Sequence, residues 1–372
     1  MSPTIWLAAW RVTPSRRAIS TSRVPSVSML PSSVMCARLT RPWPAACSRS
    51  TRSAVSVCAT RIRSRRSTVS RWARIWSGVI SEKSGTGRSC QIGKGLDKIG
   101  KEVDDLVMNS TEPQVTSSTR AGFPTYEAAP ASAPGKAPVV LLHGAFADHE
   151  SFRGWLGPLA AGGHHAIAPA RRGRVGVGPE RAEGLAFDDY VADTIAVLDT
   201  LDEPAILVGH SLGALVAQRL AEQGRARAIV LLAPAPPAML TAQAVALPHF
   251  LPQMPRIMTG RPFVVGPAAC SALALNRLPE ADRPAVHQHL THESGKVYRA
   301  AMFGTIKVDA RKVTVPVFVA GGTDDRIIAT SLTRKTAKHY GVEPRIIEGR
   351  GHWIIGEPGW EDLLAEVVAW VS

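Results

Sequence analysis

From Pro138 onward the chain alternates short, almost uninterrupted apolar runs with longer stretches in which apolar residues recur every three or four positions. A strand that is apolar throughout has to be buried on both faces. A mostly parallel sheet covered by helices on both sides is the arrangement that buries it so. Six runs qualify as strands: Val139–Leu142, Ala166–Ala170, Ala205–Val208, Ala228–Leu232, Val315–Ala320 and Pro344–Ile347. Phe187, Tyr190, Val191, Ile195, Leu198 and Leu201 form one helical stripe, and Trp360, Leu363, Leu364, Val367, Val368 and Val371 form another near the C-terminus. Both stripes are read as core. The fold class is therefore α/β, with a mostly parallel central sheet flanked by helices.

The rhythm breaks once. About 80 residues, from Pro234 to Val313, separate two strands where the spacing elsewhere is some 20 to 35. They hold Met239, Leu251, Met254, Met258, Phe263, Val264, Leu273 and Met302 among many prolines. This composition suits a helical cap insertion at about 234–313, lying over the sheet's C-terminal edge with an apolar pocket beneath it.

The chain's formal charge is +14, and residues 1–81 account for all of it, with 14 arginines, no lysine and no acidic residue. Clustered arginine is an electrostatic footprint of nucleic-acid binding. Residues 82–372, however, balance at 30 basic and 30 acidic, so no nucleic-acid partner is expected of the folded part. Residues 1–107 show no sustained period and scatter Ser, Arg, Pro and Thr. They are read as a basic N-terminal extension, either disordered or lying upstream of a true start at Met108. An organelle transit peptide and a basic arm for nucleic acid or anionic lipid are the alternatives. Residues 108–137 are a polar lead-in with one short strand near Phe123 to Glu127.

No apolar run approaches the length of about 18 residues needed for a transmembrane helix. The short run Ile5 to Trp10 precedes its arginines, the wrong order for a secretory signal. Cys36, Cys47, Cys58 and Cys90 all lie early and leave Cys270 alone in the organised part, so no disulfide framework is readable. A reducing, cytoplasmic location is the expectation.

The run Val208-Gly209-His210-Ser211-Leu212-Gly213-Ala214 sets Gly-x-Ser-x-Gly directly between a buried strand and a helical stretch, Ala214 to Glu222. A serine at such a sharp turn exposes its Oγ, and Gly209 and Gly213 leave room for close packing. An N-cap role for Ser211 would explain a helix start but not both glycines. A serine hydroxyl near neutral pH needs a base, and the base needs a partner that fixes its tautomer. The strand Val315–Ala320 is followed by Gly321-Gly322-Thr323-Asp324-Asp325-Arg326-Ile327, and the last strand by Glu348-Gly349-Arg350-Gly351-His352-Trp353. The order Ser, Asp, His differs from those of the trypsin-like and subtilisin-like enzymes. His287, His289 and His292 do not share one helical face, so no metal site and no cofactor are expected.

With Leu141-Leu142-His143-Gly144-Ala145-Phe146, the turn at Ser211, Gly322 to Ile327 and Gly349 to His352, residues 138–372 resemble the α/β-hydrolase superfamily. The likeness covers about 235 residues and is nearest to small bacterial esterase and lysophospholipase-like serine hydrolases. It implies an α/β-hydrolase fold with a cap, and hydrolysis of small or apolar carboxylic esters by a triad of Ser211, Asp325 and His352. Asp325 is preferred to Asp324 because the family's acid usually precedes a short Arg-Ile or Pro-Ile pair. Ala145 and Leu212 would supply the backbone N–H groups of an oxyanion hole. His143 would be a structural hydrogen-bonder, and His210 would point away from the nucleophile. Ala170 stands where many relatives carry Asp before an Arg-Gly pair, a departure expected to affect loop packing.

Thioesterase, acyltransferase, C–C hydrolase and hydroxynitrile-lyase-like activities keep a similar triad and stay open. Haloalkane dehalogenases and epoxide hydrolases use Asp at the elbow, and Ser211 argues against both. The non-enzyme alternatives are a catalytically silent binding protein and a basic-tailed nucleic-acid or membrane-associated one. The expected partner is a small-molecule ester, with the oligomeric state open.

Overall fold

The computed structural model describes residues 113–131, 135–174, 178–241 and 243–372. The basic segment 1–81 and the candidate start at Met108 lie outside the described residues. Eight strands form one sheet: β1 (Thr116–Arg120), β2 (Phe123–Ala128), β3 (Lys136–Leu142), β4 (His164–Pro169), β5 (Ile206–His210), β6 (Ala228–Leu232), β7 (Val317–Gly322) and β8 (Arg345–Ile347). Their order is β1-β2-β4-β3-β5-β6-β7-β8. The β1–β2 and β2–β4 pairings are antiparallel, and the others are parallel. All six expected runs are strands. β1 was not expected: it is a polar edge strand, closed onto β2 by a two-residue turn in which Ala121 (φ 49°) and Gly122 (φ 84°) both take positive φ. Two consecutive positive φ values match the right-handed twist of a hairpin.

Helices α1 (Arg153–Ala161), α2 (Phe187–Leu198) and α3 (Leu212–Glu222) alternate with strands β3 to β6. Five short helices fill the segment between β6 and β7: α4 (Leu247–Phe250), α5 (Met254–Thr259), α6 (Pro267–Leu273), α7 (Arg283–His287) and α8 (Gly295–Met302). Helices α9 (Thr330–His339) and α10 (Trp360–Val371) follow β7 and β8.

Successive strand residues face opposite sides, and both sides are buried. Val140 and Leu142 of β3 pack with Leu207, Ile229, Tyr190 and Leu215 under α2 and α3. Val139 and Leu141 pack with Val208, Val230, Trp155 and Leu364 under α1 and α10. Each such side chain gains roughly 1.5–3 kcal/mol from burial, and for that reason the runs are apolar without alternation. The chain leaves β3 for β4 on one side and returns to β5 on the other. The loops after β3 and β5 therefore diverge and open a crevice at the strands' C-terminal ends.

The segment between β6 and β7 has its own apolar cluster, with Phe250, Ile257, Phe263, Leu273 and Leu275 packed against Phe146 from the loop after β3. Leu251 and Met258, read from the sequence as part of an apolar pocket, are 68% and 50% exposed. Phe250, the last residue of α4, and Ile257 of α5 take the inward positions beside them.

A buried ion pair fastens this segment to the sheet. Arg174, in the loop after β4, binds the Glu293 carboxylate, and neither side chain is exposed. Tyr190 of α2 donates to Glu293 Oε1 at 2.6 Å, and Arg174 Nη1 donates to the His292 carbonyl at 2.8 Å. Removing one member of a buried pair strands the other charge, at a cost of about 3–5 kcal/mol. Glu293→Ala is expected to lose about that much stability in urea denaturation. Glu366→Ala, which breaks the exposed Arg345 pair, should lose no more than about 1 kcal/mol.

Candidate active site

Ser211 joins β5 to α3 with φ 53° and ψ −116°, a backbone conformation that is strained for any residue with a side chain. The surrounding structure holds it there. Ser211 N donates to the Leu232 carbonyl at 2.9 Å, and the Ser211 carbonyl accepts from Ala214 N at 3.0 Å and Ala235 N at 3.1 Å. Both flanking glycines are sterically required. A Cβ on Gly213 would lie 2.1 Å from the Leu142 carbonyl oxygen, and one on Gly209 would lie 2.5 Å from Ala214 Cα.

Three side chains that are distant in sequence meet at this turn. Ser211 Oγ is 3.0 Å from His352 Nε2, and His352 Nδ1 is 2.8 Å from Asp325 Oδ2. The second carboxylate oxygen of Asp325 accepts from Ile327 N at 2.7 Å and Ile328 N at 2.8 Å, which fixes the acid and leaves Oδ2 for the imidazole. Asp324 binds Arg277 instead. The His352 loop is held by Glu357, whose Oε2 accepts from Gly351 N at 2.8 Å. Glu357 was not anticipated. Its trace in the sequence is an acid five residues beyond the histidine, inside an otherwise apolar and glycine-rich loop.

The loop after β3 closes the other side. Gly144 lies against the nucleophile, where a Cβ would be 3.2 Å from Ser211 Cβ. Ala145 follows it, and Leu212 opens α3. Among the described residues, neither of these two backbone N–H groups has a protein acceptor. The N–H at the first position of a helix has no partner within the helix.

Two further histidines line the site. His210 is buried against the loop that carries His352. Its Nε2 donates to the His352 carbonyl at 2.9 Å, and the two rings lie 5.0 Å apart. Burial, reinforced by the neighbouring His352, pulls His210 down to about 3, so it stays neutral. Burial and then the adjacent Arg171 likewise hold His143 well below the usual imidazole range.

A cavity of about 260 Å³ opens over Ser211 and His352, walled by Phe250, Val265, Leu273, Leu290, Tyr298 and Trp353 among others. Among the described residues, no lysine or arginine lines it, and Glu150 is the one carboxylate that does. Burial pushes the thiol of Cys270, in the same wall, up to about 11. His287, His289 and His292 do not converge: His287 meets Ser271 at 3.1 Å, His289 faces Asp148, and the His292 carbonyl takes Arg174. Among the described residues, no cluster of three or more His, Cys, Asp or Glu is placed to hold a metal ion. No described helix is long and apolar enough to cross a membrane.

The Gly213 contact yields a direct test. Gly213→Ala has to push α3 off the end of β3, an overpacking change expected to cost about 1–3 kcal/mol in denaturant titration. Ala217→Gly, farther along α3, should cost about 1 kcal/mol or less.

The family model for the alpha/beta hydrolase family matches residues 139–365. Epoxide hydrolase A of Mycobacterium tuberculosis is 27% identical over 286 residues, covering 62% of this chain and 89% of that protein. Among solved structures, a monoacylglycerol lipase from Paleococcus ferrophilus aligns with a TM-score of 0.52 at 20% identity, covering 69% of this chain and 98% of that one. An esterase from Rhodococcus sp. ECU1013 aligns with a TM-score of 0.50 at 23% identity, covering 70% and 98%. The family match spans most of the chain, and the eight-stranded, mostly parallel sheet is the corresponding fold: the chain belongs to the alpha/beta hydrolase family.

Proposed function

We propose that the protein is a serine hydrolase that cleaves carboxylic esters of small or apolar acyl groups through an acyl-enzyme. The observation that carries this reading is the unbroken chain from Ser211 Oγ through His352 to Asp325, at 3.0 and 2.8 Å, facing a largely apolar cavity.

His352 Nε2 accepts the Ser211 proton as Oγ attacks the ester carbonyl carbon. The carbonyl oxygen becomes an oxyanion, held by the N–H groups of Ala145 and Leu212. His352 then gives the proton to the departing alcohol, leaving the acyl group on Ser211. Water repeats the sequence: His352 takes its proton as the oxygen adds to the acyl carbon, and when the intermediate collapses His352 gives that proton to Ser211 Oγ as the C–Oγ bond breaks and the acid leaves. Asp325 accepts a hydrogen bond from Nδ1–H, which fixes the tautomer and supports the imidazolium. The helical segment between β6 and β7 acts as a cap that shapes the acyl site.

Charge favours neutral substrates. Among the described residues, the cavity lining offers no lysine or arginine to an anionic acyl or leaving group. Ser211 also separates the chain from an epoxide-opening mechanism that uses an aspartate nucleophile, despite the likeness to a protein named epoxide hydrolase A.

A series of p-nitrophenyl esters from acetate to palmitate tests the proposal on the full chain. Turnover is expected for the shorter esters, falling once the acyl chain outgrows the cavity of about 260 Å³. Ser211→Ala should reduce kcat by about 10⁴-fold or more. Equal rates for the two proteins would overturn ester hydrolysis. With an active enzyme, hemisuccinate esters should show kcat/KM at least about tenfold below butyrate esters, as expected for burying a carboxylate without a partner.

A further inference from the structure

Three arginines stand within four residues of the loop after β4, and they meet different fates. Arg172 pairs with Asp193 and Arg174 with Glu293. Arg171 is only 2% exposed and makes no ion pair among the described residues. Its guanidinium lies 4.9 Å from the Tyr190 ring centre, and its Nε and Nη1 are buried without a hydrogen-bond partner. Burial lowers it to about 10, so it remains a cation at neutral pH.

The remaining nitrogen, Nη2, lies 3.1 Å from His143 Nδ1 and donates to the Gly144 carbonyl at 3.1 Å. That carbonyl and the Ala145 N–H belong to one peptide unit. A trans peptide is planar, with its C=O and N–H pointing in opposite directions. A donor that grips the Gly144 oxygen therefore sets the direction of the Ala145 N–H. The next carbonyl but one, that of Phe146, accepts from Thr291 N at 2.8 Å, and Phe146 itself takes φ 60°. The loop is thus held from below by Arg171 and from above by the segment that carries Glu293.

We propose that Arg171 is a positioning residue for the oxyanion hole. It is an unpaired buried cation that fixes the Gly144–Ala145 peptide and supplies, through that peptide's dipole, a counter-charge to the oxyanion formed in the reaction. The inference rests on the serine-hydrolase reading above. A buried cation without an anion destabilises the resting fold. Here the anion is created at the transition state, on the far side of the peptide that Arg171 grips. A charge poised for a transient partner favours the transition state over the ground state, which is the condition for raising kcat and not merely tightening binding. Burial, and then the adjacent Arg171, keep His143 neutral.

The test compares the full-length protein with Arg171→Gln, Arg171→Met and Ser211→Ala on p-nitrophenyl butyrate. A trifluoromethyl ketone that forms a tetrahedral adduct on Ser211 serves as the transition-state probe. Arg171→Gln keeps an N–H donor without the charge, and Arg171→Met keeps neither. The expected order of kcat is wild type, then Gln about tenfold lower, then Met about 10²-fold lower, with KM within about twofold. Affinity for the ketone should fall by the same factors as kcat/KM. A merely structural role would lower the thermal midpoint while leaving kcat and ketone affinity of the folded protein at wild-type values, and that result overturns the proposal. Should Arg171→Met not fold, the same two readouts on Arg171→Gln decide. A wild type that turns over no ester, indistinguishable from Ser211→Ala, sinks the serine-hydrolase reading itself. An active wild type, a silent Ser211→Ala and unimpaired Arg171 variants sink this inference alone.

Discussion

The strained turn at Ser211 is the constraint from which the rest of the site takes its position. A residue with a side chain holds φ 53° only because the chain around it is over-determined. The Ser211 N–H is tied to the end of β6, and its carbonyl caps the first turn of α3 and the segment after β6. Gly213 meanwhile presses into the carbonyls that end β3. Three elements are thereby locked edge to edge, and the loop after β3 has no choice but to run past the Ser211 Cβ. That approach leaves little room for a side chain at Gly144, where a Cβ would lie 3.0 Å from His210 Nδ1 and 3.2 Å from Ser211 Cβ, and it brings the Gly144–Ala145 peptide to Ser211.

Much of this was legible in the chain because it depends on local chemistry. Central strands buried on both faces are apolar along their length, so β3 to β7 stand out as runs, while β8 at the sheet's edge keeps only Ile346 and Ile347 of that pattern behind an exposed Arg345. The glycines at 209 and 213 are demanded by distances near 2 Å, and no other residue type fits them. β1 was hidden for the opposite reason. Thr116 to Arg120 form a polar edge strand whose one sign is the Ala121-Gly122 turn. Leu251 and Met258 misled because composition reports that a segment is apolar and not which face of a short, proline-broken helix turns outward. Arg171, Arg174 and Glu293 could not have been singled out either. Charged residues in a loop read as solvated, and it takes the fold to bury them about 120 residues apart in sequence.

The substitution of Ala170 for the acid common in relatives was read as a matter of loop packing, and the surrounding charges give it more weight. Asp189 and Asp193 are both taken by Arg172, and Glu293 is taken by Arg174. With an alanine at 170, none of these acids pairs with Arg171, which is left beneath the peptide next to Ser211. An unpaired buried charge lowers the stability of the resting protein; on the proposed mechanism it gives a forming oxyanion a field that is already in place. Such a trade is expected where an active site departs from the rules that govern the rest of a core.

The same logic separates the histidines. His143, His210 and His352 all lie in the walls around Ser211, yet they cannot act alike. His143 sits against the Arg171 cation and His210 against the ring of His352, and both are buried without an acid to share a proton. Burial and the neighbouring positive or protonatable group keep both neutral, and one ring nitrogen of each meets a backbone carbonyl: His143 Nδ1 beside that of Gly144, His210 Nε2 on that of His352. His352 alone has a carboxylate on one nitrogen and the serine on the other. The division of labour follows from where the carboxylate and the cation are placed. Moving a positive charge toward His352, or removing the acid behind it, would disable the base without touching the serine.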